Sequence, residues 1–342
     1  MTDTTQCWAA ESYHPIAAAA LGEVVGEIIE HLGDEPDLAV VVSRGAHSEM
    51  MQSALGALEA ALRPRTAPLA VADRVANAEA SLTLFAARLA PSPTGTSPSV
   101  DHPGVTLVMG DDPLTRSVHD GALGSPAEVF GGLGPLGDKD TAAWATRIGR
   151  ARGRLCPQWR PVGDPMVVTG VSADALTSLA GERATERLER LIGGLGDSGR
   201  MAARGGLMLG RLVDERLMDW SAADLVPTDV LGVRRSQGAV VVGEPIPLGA
   251  VVQFLVANPD TLETNLAAAA TTLAPHGAAG AIVITDTPLP AIPRPGGIAA
   301  SISIPVEAVI APVAGATFVH RRAAALIVVG PTRHHRHVQR LG

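Results

Sequence analysis

A serine and a histidine stand four residues apart in Ser43-Arg44-Gly45-Ala46-His47, directly after a short apolar run. Such a pair could supply a nucleophile and its base. Acyl transfer of that kind commonly places the serine on a strained GxSxG turn, and no such pentapeptide occurs. A strand end leading into a helix accounts for the same residues. Asp111-Asp112 follows another apolar run and could hold Mg2+, although a solvated loop start has the same composition. His334, His335 and His337 crowd the C-terminal RHHRHVQRLG, where a divalent ion would find only a solvated tail. His102, His119, His276 and His320 are isolated in sequence. Cys156 stands two residues from Arg154, whose charge would lower the thiol pKa, but a buried structural thiol is the simpler state. The glycine-rich stretch 121–138 could cradle an anion; it lacks the GxxxxGK[ST] form, and Lys139 follows no such spacing. These residues define no catalytic set, no metal site and no cofactor site. The expectation is a protein that binds rather than converts.

Composition narrows the classes further. The chain has 342 residues, enough for two domains of ~100–200 residues each. Hydrophobic residues make up 46% but aromatics only 3%, so the core must be built from Ala, Val, Leu and Ile. That leaves few platforms on which a nucleobase could stack. Net charge is −8, and no basic stripe appears before the last ten residues, which argues against a nucleic-acid partner. Cys7 and Cys156 are the only cysteines and form no disulfide framework. Lys139 is the only lysine, and with abundant Ala and Gly this suggests a GC-rich, actinobacterial-type genome. The first ten residues lack the apolar run of a signal peptide. Residues 296–319 are nearly uncharged, but Pro305, Glu307 and Pro312 fit two buried strands and a turn better than a membrane span. A cytoplasmic location is expected.

Periodicity supplies the elements. Residues 11–32 carry an apolar helical face through Val24, Val25, Ile28, Ile29 and Leu32. A buried strand at Asp37–Ser43 and a helix over 47–62, with Met50, Met51, Leu55, Leu58 and Leu62 inward, follow. Strands are expected at 67–72, 79–89 and 104–109, and weak helical pattern at 125–130 and 141–150. Beyond these, strands at 164–171, 175–179, 205–214, 229–234, 238–243, 251–256, 280–285, 301–306 and 322–329 alternate with helices over 182–193 and 259–274. Glu186 and Arg190 form an i,i+4 pair on the first of these helices. Asn258-Pro259 reads as an N-cap with Pro at the first helical position. The fold class is therefore α/β (α+β): two related halves of mixed or antiparallel β-sheets flanked by helices. The expected division is 1–155, 156–330 and a disordered Arg/His tail over 331–342.

Four blocks of the second half, PVGDPMVVTG (161–170), GGLMLGRLVDE (205–215), DVLGVRRSQGAVVVGEPIPLGAVVQFLV (229–256) and LETNLAAAATTLAPHGAAGAIVI (262–284), resemble the FIST C-terminal domain in order and spacing. DLAVVVS, LAVADRV and EASLTLFAARL of the first half resemble the FIST N-terminal domain. The likeness spans roughly residues 15–330 and rests on strand and turn patterns. It implies a non-enzymatic intracellular sensory module for a small, amino-acid-like ligand. The signature itself is altered. Where the family reads FSC-nGRG, this chain has Ile284-Thr285-Asp286-Thr287-Pro288; where it reads GE-iGPvgG-nflHgfT, Pro312, Gly315, Phe318 and His320 keep their places but the Glu is Val309. The GC-x-GviG glycines of the first half give way to Ala70-Val71-Ala72-Asp73-Arg74-Val75. The resemblance thus implies ligand-site residues Thr285, Asp286, Pro312, Gly315 and His320 in a rewritten pocket. The alternative is a degenerate structural subunit that binds no ligand and assembles with itself or with a FIST paralogue.

Overall fold

The computed structural model describes residues 5–73, 79–89, 104–110, 128–133, 143–149, 151–275, 277–287, 298–313 and 316–330. The glycine-rich 121–138 segment falls largely outside them, as do Asp111-Asp112 and the tail.

The first layer pair comes from the N-terminal residues. β1 (Gln6–Ser12), β2 (Leu38–Arg44), β3 (Leu69–Asp73) and β4 (Ser81–Arg88) form a sheet of order β1-β4-β2-β3, with β2 and β3 parallel and the other pairs antiparallel. Helix α1 (Ala17–Leu32) lays Leu21, Val24, Val25, Ile28 and Leu32 on the outer face of this sheet, against Ala39, Val41, Leu84 and Ala86. Leu58 and Leu62 of α2 (Met51–Leu62) complete that cluster. The side chains of Met50 and Met51 lie outside the described set.

A second sheet repeats the first. β8 (Ala151–Pro157), β16 (Ala278–Thr285), β17 (Ile298–Pro305) and β20 (Ala323–Val329) run in the order β17-β16-β20-β8, again with one parallel pair, β16 and β17. The helix on its outer face, α5 (Pro259–Leu273), buries Leu262, Leu266, Ala269 and Ala270 against Ala281, Val283, Leu326 and Val328. Asn258 caps α5 by accepting from the Asp260 N–H, with Pro259 in its first turn. The match extends to register. Across the first sheet, Ser12, Leu82, Ser43 and Ala72 are lateral neighbours; across the second, Cys156, Ala324, Thr285 and Pro305 hold the same places. The inward faces correspond as well, Val40 and Val42 with Ile282 and Ile284, and Phe85 with Ile327.

Those inward faces pack on each other. Cys7, Val42, Phe85, Ile282, Ile304 and Ile327 share one apolar cluster, and a Cβ on Gly280 would lie 2.8 Å from Cys7 Cβ. The result is a helix–sheet–sheet–helix stack. Fully burying aliphatic side chains of this size contributes roughly 1.5–3 kcal/mol each, so the scarcity of aromatics costs this core little.

Two additions interrupt the second repeat. A five-stranded sheet, β19-β18-β6-β5-β7, joins β5 (Gly104–Gly110), β6 (Glu128–Leu133) and β7 (Ala143–Gly149) to β18 (Ala308–Val313) and β19 (Ala316–His320). Between β8 and α5 the chain builds β9 (Trp159–Ser172), β10 (Ala175–Leu179), β11 (Glu182–Arg183), α3 (Ala184–Gly194), α4 (Asp197–Gly205), β12 (Leu207–Leu212), β13 (Leu225–Arg234), β14 (Ala239–Val242) and β15 (Val251–Ala257). Strands β10-β14-β13-β12-β15-β9 close into a ring, because β9 also pairs with β10. The closure uses two bends. The β9–β15 ladder shifts register around Gly163 (φ +67), between Val162 and Met166, and a register shift separates Val230 from Gly232 in β13. Val168, Leu176, Leu209, Val240, Val252 and Phe254 fill the interior.

Several expectations are corrected. Of the helical pattern at 125–130 and 141–150, the described residues 128–130 and 143–149 belong to strands β6 and β7. The run from residue 11 begins as strand β1, and the helix starts at Ala17. Arg190 pairs with Glu182 at 2.7 Å rather than with Glu186, because the chain before α3 turns back alongside it. The division at 155/156 falls inside β8, and the five-stranded sheet draws strands from both sides of it. The uncharged stretch 296–319 supplies β17, β18 and β19. No helix among the described residues is long and apolar enough to cross a membrane.

Candidate functional site

In sheets with parallel strands, ligands commonly lie beyond the carboxyl ends of those strands. The two matching four-stranded sheets each have such a corner, at Ser43-Arg44 at the end of β2 and at Thr285-Asp286 at the end of β16; a third parallel pair, β5 and β6, ends at Gly110 and Leu133, where the described residues stop.

At the second corner Thr285 is buried. Its Oγ1 donates to the Thr287 carbonyl at 2.8 Å and accepts the Thr287 N–H at 3.0 Å, which curls the chain after β16. Asp286 then reaches the turn between β19 and β20. Its carboxylate accepts the backbone N–H of Arg322 and, at 2.9 Å, that of Ala323. The Thr287 hydroxyl lies 3.2 Å from both Asp286 Oδ1 and Gln158 Oε1. Burial pushes the Asp286 pKa above the usual aspartate value, and the two amide bonds offset only part of that rise. Holding the turn is therefore the first role of Asp286.

His320 is the end of β19 and is fully buried. Its Nε2 lies 3.4 Å from the Ala311 carbonyl, and its ring stacks on Trp159 with centroids 6.2 Å apart. The Trp159 Nε1 donates to the Ala222 carbonyl. Nδ1 of His320 has no hydrogen-bond partner among the described residues. Burial lowers the His320 pKa to about 4, so the imidazole is neutral at pH 7. Pro312 sits on β18 with its backbone opposite Thr317; its side chain and Gly315 lie outside the described residues. Thr285, Asp286 and His320 thus meet around one turn, while the structure places no side chain of the other two.

Sequence reading missed Arg322. Its backbone is left-handed (φ 56), a conformation that costs a non-glycine residue roughly 1–2 kcal/mol. The Asp286 carboxylate holds it there. The guanidinium lies over Gly206 (φ +152), where a Cβ would come within 1.8 Å of Nη1. Nη2 stands 3.9 Å from Asp229 Oδ1, and Nη1 is buried without a partner among the described residues. Gly206 and Asp229 belong to the barrel segment, so the corner joins the stack to the barrel. Only its apolar strand edges were visible in sequence, because the partners of Arg322 are remote along the chain.

At the first corner, Ser43 and His47 are buried. Ser43 Oγ has no partner among the described residues, and His47 Nε2 is 2.9 Å from the His14 carbonyl. Arg44 donates through Nε to Asp73 at 3.2 Å and has Glu11 at 3.9 Å. Cys156 is buried with its pKa pushed up to about 12, chiefly by desolvation, which leaves it a poor nucleophile.

No family model matches the chain. Over 129 residues, 37% of its length, it is 33% identical to an uncharacterized protein of Mycobacterium bovis and to one of Mycobacterium tuberculosis. Over 107 residues, 31% of its length, it is 32% identical to another uncharacterized Mycobacterium tuberculosis protein. These stretches cover 33% and 28% of the relatives, so the matched part of the chain spans about a third of their length.

Proposed function

We propose that this chain is a non-catalytic, cytoplasmic sensory module of the FIST type, which binds a small ligand at the corner formed by β16 and the β19–β20 turn. One observation carries the reading: two buried nitrogens, His320 Nδ1 and Arg322 Nη1, lack partners among the described residues within a single turn. Unsatisfied buried donors and acceptors are rare and costly, about 1–3 kcal/mol each, and a bound ligand would complete them. The shared strand positions with the FIST pattern at Pro312, Phe318 and His320 support the assignment. The original amino-acid-like ligand class is retained with one change. Asp286 is occupied by backbone amides, so it is not the partner of a ligand ammonium.

A thermal-shift screen of amino acids and small metabolites against the full chain tests this. A ligand present at 100-fold its Kd adds about 2.7 kcal/mol of stability. A screen at millimolar concentration in which nothing stabilises the protein would sink the proposal.

A second reading, assembly with another copy or a FIST paralogue, is favoured by the barrel exterior. There Val167, Val171, Leu231 and Val233 are exposed on β9 and β13. Mass photometry showing only monomer, with no partner retained from native lysate, would dispose of it.

A further inference from the structure

The two repeats place an arginine at each corner, and they treat it differently. Arg44 in the first has its Nε on the Asp73 carboxylate at 3.2 Å, with Glu11 at 3.9 Å beyond Nη1. Two acidic side chains of the same sheet therefore face it, one of them within hydrogen-bonding distance. Arg322 in the second has only the longer kind of contact. Asp229 at 3.9 Å is beyond hydrogen-bonding distance, and Nη1 is enclosed with no acceptor among the described residues. Three features nevertheless fix the side chain in place. Asp286 anchors its backbone N–H, the residue is held left-handed, and position 206 has no Cβ to displace the guanidinium. The carbonyl end of α4, which Gly206 caps, accounts for a cation in this neighbourhood. It does not supply the missing acceptor. Beside Arg322, His320 presents a second buried nitrogen without a partner.

We infer that Arg322 is the anchor for a small oxyanion-bearing ligand, a carboxylate or a phosphate, bound at the seam between the stack and the barrel. This rests on the ligand-binding reading above and names the chemistry of that site. A guanidinium pairs with either group through charge-assisted hydrogen bonds. Asp229 is its internal competitor: it draws Nη2 weakly in the free protein and yields when a better-placed oxyanion arrives. Because Arg322 sits on the stack while Gly206 and Asp229 belong to the barrel, occupancy ties the two modules together.

The test uses the full chain and three probes: sodium L-glutamate, inorganic phosphate, and glycinamide, an amino-acid derivative without the carboxylate. Each is titrated in a thermal-shift assay against sodium chloride at equal ionic strength. A saturable rise in Tm is expected with glutamate or with phosphate, and the response to one over the other identifies which oxyanion the site takes. Arg322→Gln should weaken that response about tenfold or more, as expected for loss of a charged hydrogen bond. Arg44→Gln should leave it unchanged. Asp229→Asn keeps Arg322 and removes its competitor, so the probe should bind severalfold more tightly. No saturable response to either oxyanion overturns the inference, as does an equal response from wild type and Arg322→Gln. Unchanged probe affinity in Asp229→Asn overturns it even where Arg322→Gln fails to fold. Stabilisation of wild type and Arg322→Gln alike by glycinamide would leave the sensor reading standing and remove Arg322 from it.

Discussion

The corners beyond β2 and β16 occupy equivalent places in two sheets of the same order and sense, yet their chemistry is inverted. Arg44 stands in the position that Asp286 takes in the second repeat. Arg44 is met by side chains, and Asp286 by backbone amides. Ser43 and Thr285 are also equivalent. Ser43 Oγ is buried and unpartnered, whereas the Thr285 hydroxyl is engaged on both sides of a turn. A duplicated scaffold therefore fixes where a corner lies but not what it does. The second corner has the longer connections, and those connections bring Trp159, Arg322 and the barrel to it.

The comparison can be broken most directly through its charged members. Asp286→Ala removes the acceptor for two amides in a part-buried turn, at about 1–3 kcal/mol each, so a total loss of about 2–6 kcal/mol is expected in urea denaturation. Arg44→Ala removes a partly buried pair with Asp73, whose side chain is 11% exposed, and a looser one with Glu11, and should cost about 1–2 kcal/mol. Equal losses at the two positions would end the claim that they differ in kind.

Acid provides the next largest effect. His320 titrates near pH 4 in the folded protein and near 6.5 when unfolded. The unfolded chain thus takes up the proton first, and stability present above pH 6.5 is lost as pH falls toward 4. At about 1.4 kcal/mol per pKa unit the loss approaches about 3 kcal/mol. Asp286 acts with the opposite sign. Its raised pKa favours the folded state below the ordinary aspartate value, and this contribution disappears as pH rises through the folded pKa. It therefore opposes the His320 loss only at the acid end. Urea midpoints measured from pH 7 to 4 should fall in wild type and fall much less in His320→Phe. An unchanged slope in that variant would place the acid sensitivity elsewhere.

The smallest test concerns the hydroxyls. Thr285→Val leaves the Thr287 N–H and carbonyl without their partner and should cost about 1–2 kcal/mol. Ser43→Ala removes a buried hydroxyl that has nothing to lose, so the change should be neutral or stabilising by up to about 1 kcal/mol. Differential scanning calorimetry of the two variants would reverse the comparison if Ser43→Ala were the more damaging.

Much of this organisation was legible in the residues. The apolar faces of α1 and α5, the Asn258-Pro259 cap and the strand at Leu38–Arg44 follow from periodicity and capping chemistry. The strand β1 was not, because QCWAAES has no β-branched residue and merges into the pattern of α1. AWATRIG of β7 is short enough to fit either period, and pairing with β5 decides it. The duplication was read only as two related halves, since the repeats share facing and register rather than residue identities. Thr285, Asp286 and His320 could be picked out near a strand edge. The role of Arg322 depends on Gly206, Asp229 and Asp286, and no local pattern announces a contact among residues so distant in sequence.

The barrel begins and ends at one point. The Asn258 N–H donates to the Gln158 carbonyl at 2.8 Å, and Trp159 is the ladder partner of Ala257. In the first repeat the corresponding link between strand and helix is only residues 13–16. To the stack, then, the whole of 159–257 behaves as a tight turn whose two stems never part. The entropy of closing so long a loop is met by the barrel's own folding rather than by the sheets that carry it. The stems are not the whole of the join: Met208, Leu212, Leu225 and Leu255 of the barrel strands share the core cluster of the two packed sheets.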